Sequence, residues 1–136
     1  MIDYKAQGRR NRAAGARFEL KTRKDLESKG WTVVKHQNNI DLENSCFYPA
    51  KQKFIRGRGM GLGSGFPDFI AFCHIIGRGY KLKFVECKVN GKLSKEEKLK
   101  MEWLENEGFE CEVASKNGTL VEYQRPHRVR RKTTGD

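Results

Sequence analysis

The sequence lacks the features of membrane-spanning, secreted and zinc-stabilised proteins. None of its uninterrupted apolar runs approaches the roughly 20 residues that a membrane-spanning helix needs. Residues 1–5 have no signal-peptide apolar core, so we expect a cytoplasmic protein without membrane contact. The four cysteines form no CxxC pair and have no histidine at zinc-ligand spacing, which predicts reduced thiols, mostly in the core, over disulfides or structural zinc.

Motifs of several enzyme and DNA-binding classes are also missing. There is no GxxxxGK[ST] phosphate loop, and the glycine-rich stretch precedes a predicted strand instead of the helix of a dinucleotide site. His36, His74 and His127 have no HxxxH or HExxH spacing, so we expect strand-end or tail residues. The sequence also has no recognition-helix or zinc-finger signature, the motifs with which proteins read base sequence.

Positive charge is the informative part of the composition. The 136 residues include 28 Lys and Arg against 17 Asp and Glu, a net charge of +11. Residues 1–29 hold nine basic and four acidic side chains, and residues 125–136 hold five basic side chains and one acidic side chain. Because neutralising phosphates releases counterions, this balance favours nucleic acid as the partner. A generically basic protein that binds acidic proteins or a membrane surface is the alternative.

The hydrophobic pattern predicts one α/β domain over residues 1–124, in the order α-β-β-β-α-β with a further candidate strand. Helices are predicted over 9–29 and from the Ser94 capping box to about 107. Strands are predicted at 31–36, 67–72, 80–88, 109–114 and 119–123.

Two basic segments lie outside this pattern. Residues 37–66 are polar and carry glycine at every second position from 57 to 65, which predicts a flexible loop. Residues 125–136 are predicted to be a tail that is disordered without a ligand. With the first helix, these segments supply the candidate DNA-binding residues: Arg9, Arg10, Arg12, Lys51, Lys53, Arg56, Arg58, Arg128, Arg130 and Arg131.

Glu19 lies at the edge of the apolar stripe of the first helix. Ala14, Phe18 and Leu26 share that stripe, and Glu19 is about 100° around the helix from Phe18. This position suits a half-buried functional acid. An ordinary surface glutamate is the alternative.

Asp68, Glu86 and Lys88 form the strongest candidate site. With a turn near residues 77–79, positions 68 and 86 come opposite each other, with Cβ atoms roughly 4.5–5.5 Å apart. Two carboxylates at that distance can share a magnesium ion, and Lys88 points the same way. A surface ion triplet is the alternative, but the apolar flanks predict a buried sheet, where unpaired carboxylates would cost several kcal/mol.

These residues resemble the PD-(D/E)xK nucleases, with Pro67-Asp68 followed by Glu86-Cys87-Lys88. The context is also similar: GARFE at 15–19, GLGSGFPD at 61–68, FVECK at 84–88 and LSKEE at 93–97. The resemblance covers about residues 13–114. It is greatest to the virus-type replication-repair nuclease (VRR-NUC) domain, and the segment 15–19 is similar to archaeal Holliday junction resolvases. The chain departs from the family at Glu97, where a glutamine is usual, and at the insertion 37–66.

The resemblance implies a restriction-endonuclease-like fold, with a central mixed sheet flanked by helices, and Mg²⁺- or Mn²⁺-dependent cleavage of DNA phosphodiesters. It makes Asp68, Glu86 and the Cys87 carbonyl metal ligands, Lys88 the catalytic lysine, and Glu19 an outer or second-metal acid. The expected substrate is branched DNA, such as a four-way junction or flap, in repair, recombination or replication. Symmetric cleavage of a junction would require a homodimer.

Two other functions are compatible with the sequence. One is a non-catalytic module that binds nucleic acid through its basic loop and tail. The other is a sequence-specific restriction-type endonuclease, although little of this short chain is left beyond a catalytic core.

Overall fold

The computed structural model describes the backbone of residues 1–50, 52–55, 59–62 and 65–126 and the side chains of 1–50 and 65–126. Its helices are α1 (Tyr4–Ser28) and α2 (Lys95–Asn106). Its strands are β1 (Thr32–Lys35), β2 (Asn38–Asp41), β3 (Cys46–Pro49), β4 (Gln52–Ile55), β5 (Gly59–Leu62), β6 (Phe69–Ile75), β7 (Gly79–Cys87), β8 (Glu110–Asn117) and β9 (Leu120–Gln124).

A mixed five-stranded sheet forms the centre of the fold, in the order β1-β6-β7-β8-β9. The β7–β8 pair is parallel, and the other neighbours are antiparallel. A parallel pair needs a crossover connection, which α2 supplies. The described part of the chain is therefore α/β, with a mixed sheet and two helices, as predicted, and the core elements follow the predicted order.

The two helices cover opposite faces of this sheet. On one face, Phe18 and Leu26 of α1 pack with Val85. On the other face, Met101 and Leu104 of α2 pack in one cluster with Phe84, which precedes Val85 and so points the other way. Burying both faces holds the middle strands rigidly.

Side-chain caps fix the beginnings of both helices. Asp3 Oδ1 accepts a hydrogen bond from the Ala6 N–H at 3.1 Å, so α1 begins five residues before its predicted start at residue 9. Ser94 and Glu97 form the predicted capping box at the start of α2. The helix therefore begins next to the end of β7.

The segment 37–66 differs from the single flexible loop that the sequence predicted. Strands β2 and β3 pair as a hairpin, and β4 and β5 pair as a second one. Ile40 is only 2% exposed and packs in the core cluster beneath α2. Because Ile40 is the one buried side chain of the β2–β3 hairpin, the alternation there is too weak to predict a strand.

Several predicted DNA-binding residues cannot be placed. Lys51, Arg56 and Arg58 lie outside the described residues, as do Arg128, Arg130 and Arg131 of the tail. Lys53 belongs to β4, of which only the backbone is described.

All four cysteines are free thiols. The prediction that they lie mostly in the core is wrong, because only Cys111 is buried; Cys73 and Cys87 are partly buried and Cys46 is exposed. Neither helix of the described part of the chain is both long and apolar enough to span a membrane.

Candidate active site

The β6–β7 hairpin brings Asp68 and Glu86 together, as the sequence predicted. The register pairs Phe69 with Val85, so its continuation by one residue sets Asp68 opposite Glu86. The Asp68 N–H donates to Glu86 Oε1 at 3.1 Å, and the Cys87 N–H donates to Asp68 Oδ2 at 2.9 Å. Each carboxylate thus accepts a backbone N–H hydrogen bond across the hairpin, as a backbone carbonyl would in the regular ladder, and this hydrogen bond fixes the carboxylate in place.

Glu86 is the more deeply buried of the two acids, with 4% of its surface exposed. Burial raises its pKa far above the ordinary value, and the hydrogen bond and negative charge of Asp68 raise it further. Without a cation, the pair therefore favours a protonated Glu86. A bound divalent cation would reverse that preference, because positive charge favours the ionised form.

Lys88 follows β7 and lies beside these carboxylates. Its Nζ is 2.7 Å from Glu97 Oε2 and 3.9 Å from Glu86 Oε2. Burial opposes the charge of Lys88, but the hydrogen bond to Glu97 and the neighbouring carboxylates outweigh it and raise its pKa. Glu97 is the capping-box residue at which the sequence departs from the PD-(D/E)xK pattern that it resembles, and sequence reasoning assigned it no role in the site.

The site opens into a cavity of about 350 Å³. Five carboxylates and two lysines line it, together with Asn39, Gly65, Phe66 and Cys87; the charged residues are Glu19, Asp68, Glu86, Glu96, Glu97, Lys88 and Lys100. Acidic side chains therefore predominate here, although the whole chain has a net charge of +11.

Glu19 reaches this cavity from α1, but it is not bound to the Asp68–Glu86 pair. Its Oε2 is 3.0 Å from Lys35 Nζ, and its side chain is 33% exposed. Its position is thus the half-buried edge that the sequence predicted. Its proposed role as an outer acid stays a prediction.

Sequence reasoning missed Lys100 and Asn39. Lys100 Nζ is 2.9 Å from Asn39 Oδ1 and 3.1 Å from Glu96 Oε1. The i,i+4 spacing of Glu96 and Lys100 on α2 was a usable signal for that contact. Asn39 gave no signal, because it lies in the segment predicted as a loop.

Gly65 positions the strand that carries Asp68. A Cβ at this residue would overlap the backbone carbonyl oxygens of His36 and Asn38. The same segment is held by two backbone hydrogen bonds, from Phe66 N–H to Asn38 O at 2.9 Å and from His36 N–H to Asp68 O at 2.8 Å. Only glycine allows this close approach.

Cys87 can supply a third oxygen to a cation at the carboxylate pair. The Cys87 N–H points towards β6. In a β-strand the N–H and the carbonyl of one residue point to the same side, so the Cys87 carbonyl also points towards β6. The extended register sets Pro67 opposite, and proline has no N–H to donate to that carbonyl. Within the described residues no group of three or more His, Cys, Asp and Glu side chains is arranged to hold a metal ion. The metal ligands predicted from the sequence include two such side chains, Asp68 and Glu86, with this carbonyl; Glu19, predicted as an outer or second-metal acid, does not join them in such a group.

The predicted basic residues of α1 are exposed but point in different directions. Arg12 is seven residues before Glu19, which places it on the same face of the helix, about 10 Å along the axis. Arg10 is nine residues before Glu19, on the opposite face, and Arg9 lies between them. Of the three, Arg12 is therefore the one aligned with the cavity.

Comparison of the whole chain with protein-family models, curated proteins and solved structures finds no match. Its function must therefore be argued from its own residues.

Proposed function

We propose that this chain is a metal-dependent nuclease that hydrolyses phosphodiester bonds in DNA, with Asp68, Glu86 and Lys88 at its centre. One observation carries the proposal: in a strongly basic chain, the buried carboxylate of Glu86 is linked to the partly buried Asp68 and lies beside a lysine in an acidic cavity. A structural ion cluster would not need this burial, whereas oxygen-rich cation sites use such carboxylates.

The donor set fits a hard divalent cation. Asp68 and Glu86 would hold Mg²⁺ or Mn²⁺ with the Cys87 carbonyl, and the cation would supply Lewis-acid activation of the scissile phosphate and of the attacking water. Lys88 would contribute a fixed positive charge beside the phosphate as negative charge develops in the transition state. Its ion pair with Glu97 supports this charged role.

The arrangement of the core agrees with a restriction-endonuclease-like fold. An antiparallel hairpin, β6–β7, carries the acidic residues, and α2 leads to the parallel strand β8. The exposed arginines of α1 and the absence of a base-reading motif from the sequence support structure-selective binding of branched DNA. If a four-way junction is the preferred substrate, symmetric cleavage requires two copies of the chain.

The decisive experiment compares cleavage of labelled four-way junction, splayed-arm, single-stranded and linear duplex DNA in Mg²⁺, in Mn²⁺ and in EDTA. We expect metal-dependent cleavage that is lost in Lys88→Ala and Glu86→Ala. Binding without cleavage in every metal would instead indicate a non-catalytic nucleic-acid-binding module. A single defined cut in random linear duplex would indicate a sequence-specific endonuclease.

A further inference from the structure

We propose that Lys100 is a second phosphate-binding residue of the cavity, and that Glu96 holds its ammonium group until a nucleic-acid strand enters. The inference rests on the proposed nuclease function. It adds a contact to the bound strand away from the Asp68–Glu86 pair.

Lys100 is a buried cation with weak compensation. Its side chain is only 9% exposed, and burying an ammonium group is costly unless it is well paired. Asn39 supplies a neutral amide oxygen, the centre of the Phe66 ring is 5.9 Å from Nζ, and Glu96 supplies a carboxylate whose side chain is 73% exposed. Because the Glu96 side chain is largely in solvent, a phosphate oxygen can take its place beside Lys100 without leaving the buried ammonium group unpaired.

Lys83 is a buried lysine of the same chain whose contacts are structural, and it serves as the comparison for Lys100. Its Nζ is 2.8 Å from Glu112, whose side chain is 27% exposed, and 4.1 Å from the centre of the Trp31 ring. It also lies over the Tyr123 ring, and it does not line the cavity at the carboxylate pair. Lys100, in contrast, lines that cavity, has its ring contact at the longer distance of 5.9 Å, to Phe66, and has a largely exposed carboxylate as its charged partner.

The position of Lys100 indicates where a strand would pass. Lys100 and Glu96 line both the 350 Å³ cavity and a neighbouring cavity of about 270 Å³, which Tyr48 and Asp41 of the β2–β3 hairpin also line. A strand lying between α2 and this hairpin would therefore meet Lys100 Nζ on its way to the carboxylate pair. A phosphate oxygen could replace Glu96 Oε1 as the acceptor, because both are anionic oxygens that bind ammonium groups.

The test measures binding of a labelled splayed-arm DNA by fluorescence anisotropy in Ca²⁺, over a series of salt concentrations, with the DNA checked on a gel to be intact. Lys100→Met should weaken binding about tenfold near 0.1 M salt and reduce the magnitude of the salt slope by about one. Lys100→Arg should keep the slope. Lys98→Met is the matched control, because Lys98 is exposed and about 200° around the helix.

Glu96→Gln gives an independent readout. It removes the carboxylate charge that competes with a phosphate for Lys100, so it should tighten DNA binding about two- to threefold. If circular dichroism shows that Lys100→Met does not fold, this variant decides: tighter binding supports the inference, and unchanged or weaker binding overturns it. Equal salt slopes for Lys100→Met, Lys98→Met and the wild type would also overturn it, while wild-type cleavage would leave the proposed function intact. A wild type that neither binds nor cuts DNA would overturn both.

Discussion

The backbone N–H of Asp68 donates a hydrogen bond to Glu86 Oε1 at 3.1 Å, so the two acids are linked across the hairpin although their charges repel. This link holds a carboxylate pair at a position where burial disfavours its second negative charge. The fold thus maintains an electrostatically unfavourable arrangement in the absence of a cation. Such an arrangement is typical of sites selected for binding and catalysis.

Glu86→Gln should separate stability from activity. The neutral amide is close in shape to the protonated carboxyl group and spares the fold the cost of protonating Glu86, so the metal-free variant should unfold with an equal free energy or one about 1–2 kcal/mol higher at pH 7. DNA cleavage should be lost.

The same variant tests cation binding. Millimolar Mg²⁺ or Mn²⁺ should raise the melting temperature of the wild type, and EDTA should reverse the rise, because a ligand bound only to the folded state stabilises it. Glu86→Gln should show little change in differential scanning fluorimetry. A marked loss of stability in Glu86→Gln, with unchanged cleavage, would indicate a structural ion cluster.

Glu97 should affect activity through Lys88. Glu97→Gln keeps an acceptor for the capping box but removes the charge that holds Lys88 Nζ at 2.7 Å. We expect about a tenfold lower kcat with a melting temperature close to that of the wild type. The measurement is single-turnover cleavage at saturating DNA.

Ser94→Ala is the matched control for that prediction. It removes the other half of the capping box and should cost about 1 kcal/mol of stability. Its activity per folded molecule should be unchanged. If both variants lose activity in proportion to stability, Glu97 acts only as a cap.

Arg12 should contribute more to DNA binding than Arg10. Both side chains are exposed on α1, but only Arg12 shares the helix face of Glu19, which lines the cavity. Arg12→Ala should weaken binding several-fold and reduce the salt slope by about one, whereas Arg10→Ala should have a smaller effect. Anisotropy titrations over a salt series measure both quantities. A larger effect of Arg10→Ala would place the DNA on the other face of α1.

The core elements and the central pair could be predicted from the sequence because their signals are local. The glycines near residues 77–79 place the turn, and the period of two then sets Asp68 opposite Glu86. The capping box of α2 is likewise contained in four consecutive residues, 94–97. Such local rules require no knowledge of the tertiary fold.

The rest of the site depends on tertiary contacts that leave little trace in the sequence. Asn39 meets Lys100 across 61 positions of the chain, and the β2–β3 hairpin that carries Asn39 has only one fully buried apolar side chain, Ile40. Glu97 could be read as a cap, but its second contact, with Lys88, follows only from the packing of α2 on the sheet. The hydrophobic period therefore does not predict contacts between polar residues that are distant in the sequence.

Gly65→Ala should disrupt the active site, because a Cβ there would overlap backbone atoms of residues 36–38. We expect a loss of about 2–4 kcal/mol in unfolding free energy and a large loss of cleavage. Gly15→Ala is the control: its Cβ would contact nothing within 4 Å, and alanine in a helix is favoured by roughly 0.5–1 kcal/mol. Urea unfolding of both variants checks the pair. Normal stability and cleavage in Gly65→Ala would show that the segment can move away without affecting Asp68.

His36 should make the fold sensitive to mild acid. Its ring is buried between Phe47 and Phe84, at centroid distances of 5.9 and 5.3 Å, and Nε2 has no hydrogen-bond partner among the described residues. Burial lowers its pKa below 6.5, and a hydrogen bond with the backbone of Phe66 only partly offsets this. As the pH falls through 6.5, the unfolded chain therefore takes up a proton that the folded chain does not, and stability decreases.

His36→Phe isolates this effect, because every other titratable group is common to both proteins. Between pH 7.5 and 5.5 the wild type should lose about 1 kcal/mol more unfolding free energy than His36→Phe, since each pH unit is worth at most about 1.4 kcal/mol per proton. Urea denaturation at three pH values measures the difference. A wild type that gains stability relative to the variant as the pH falls would mean that the folded protein stabilises a charged His36, against the burial argument.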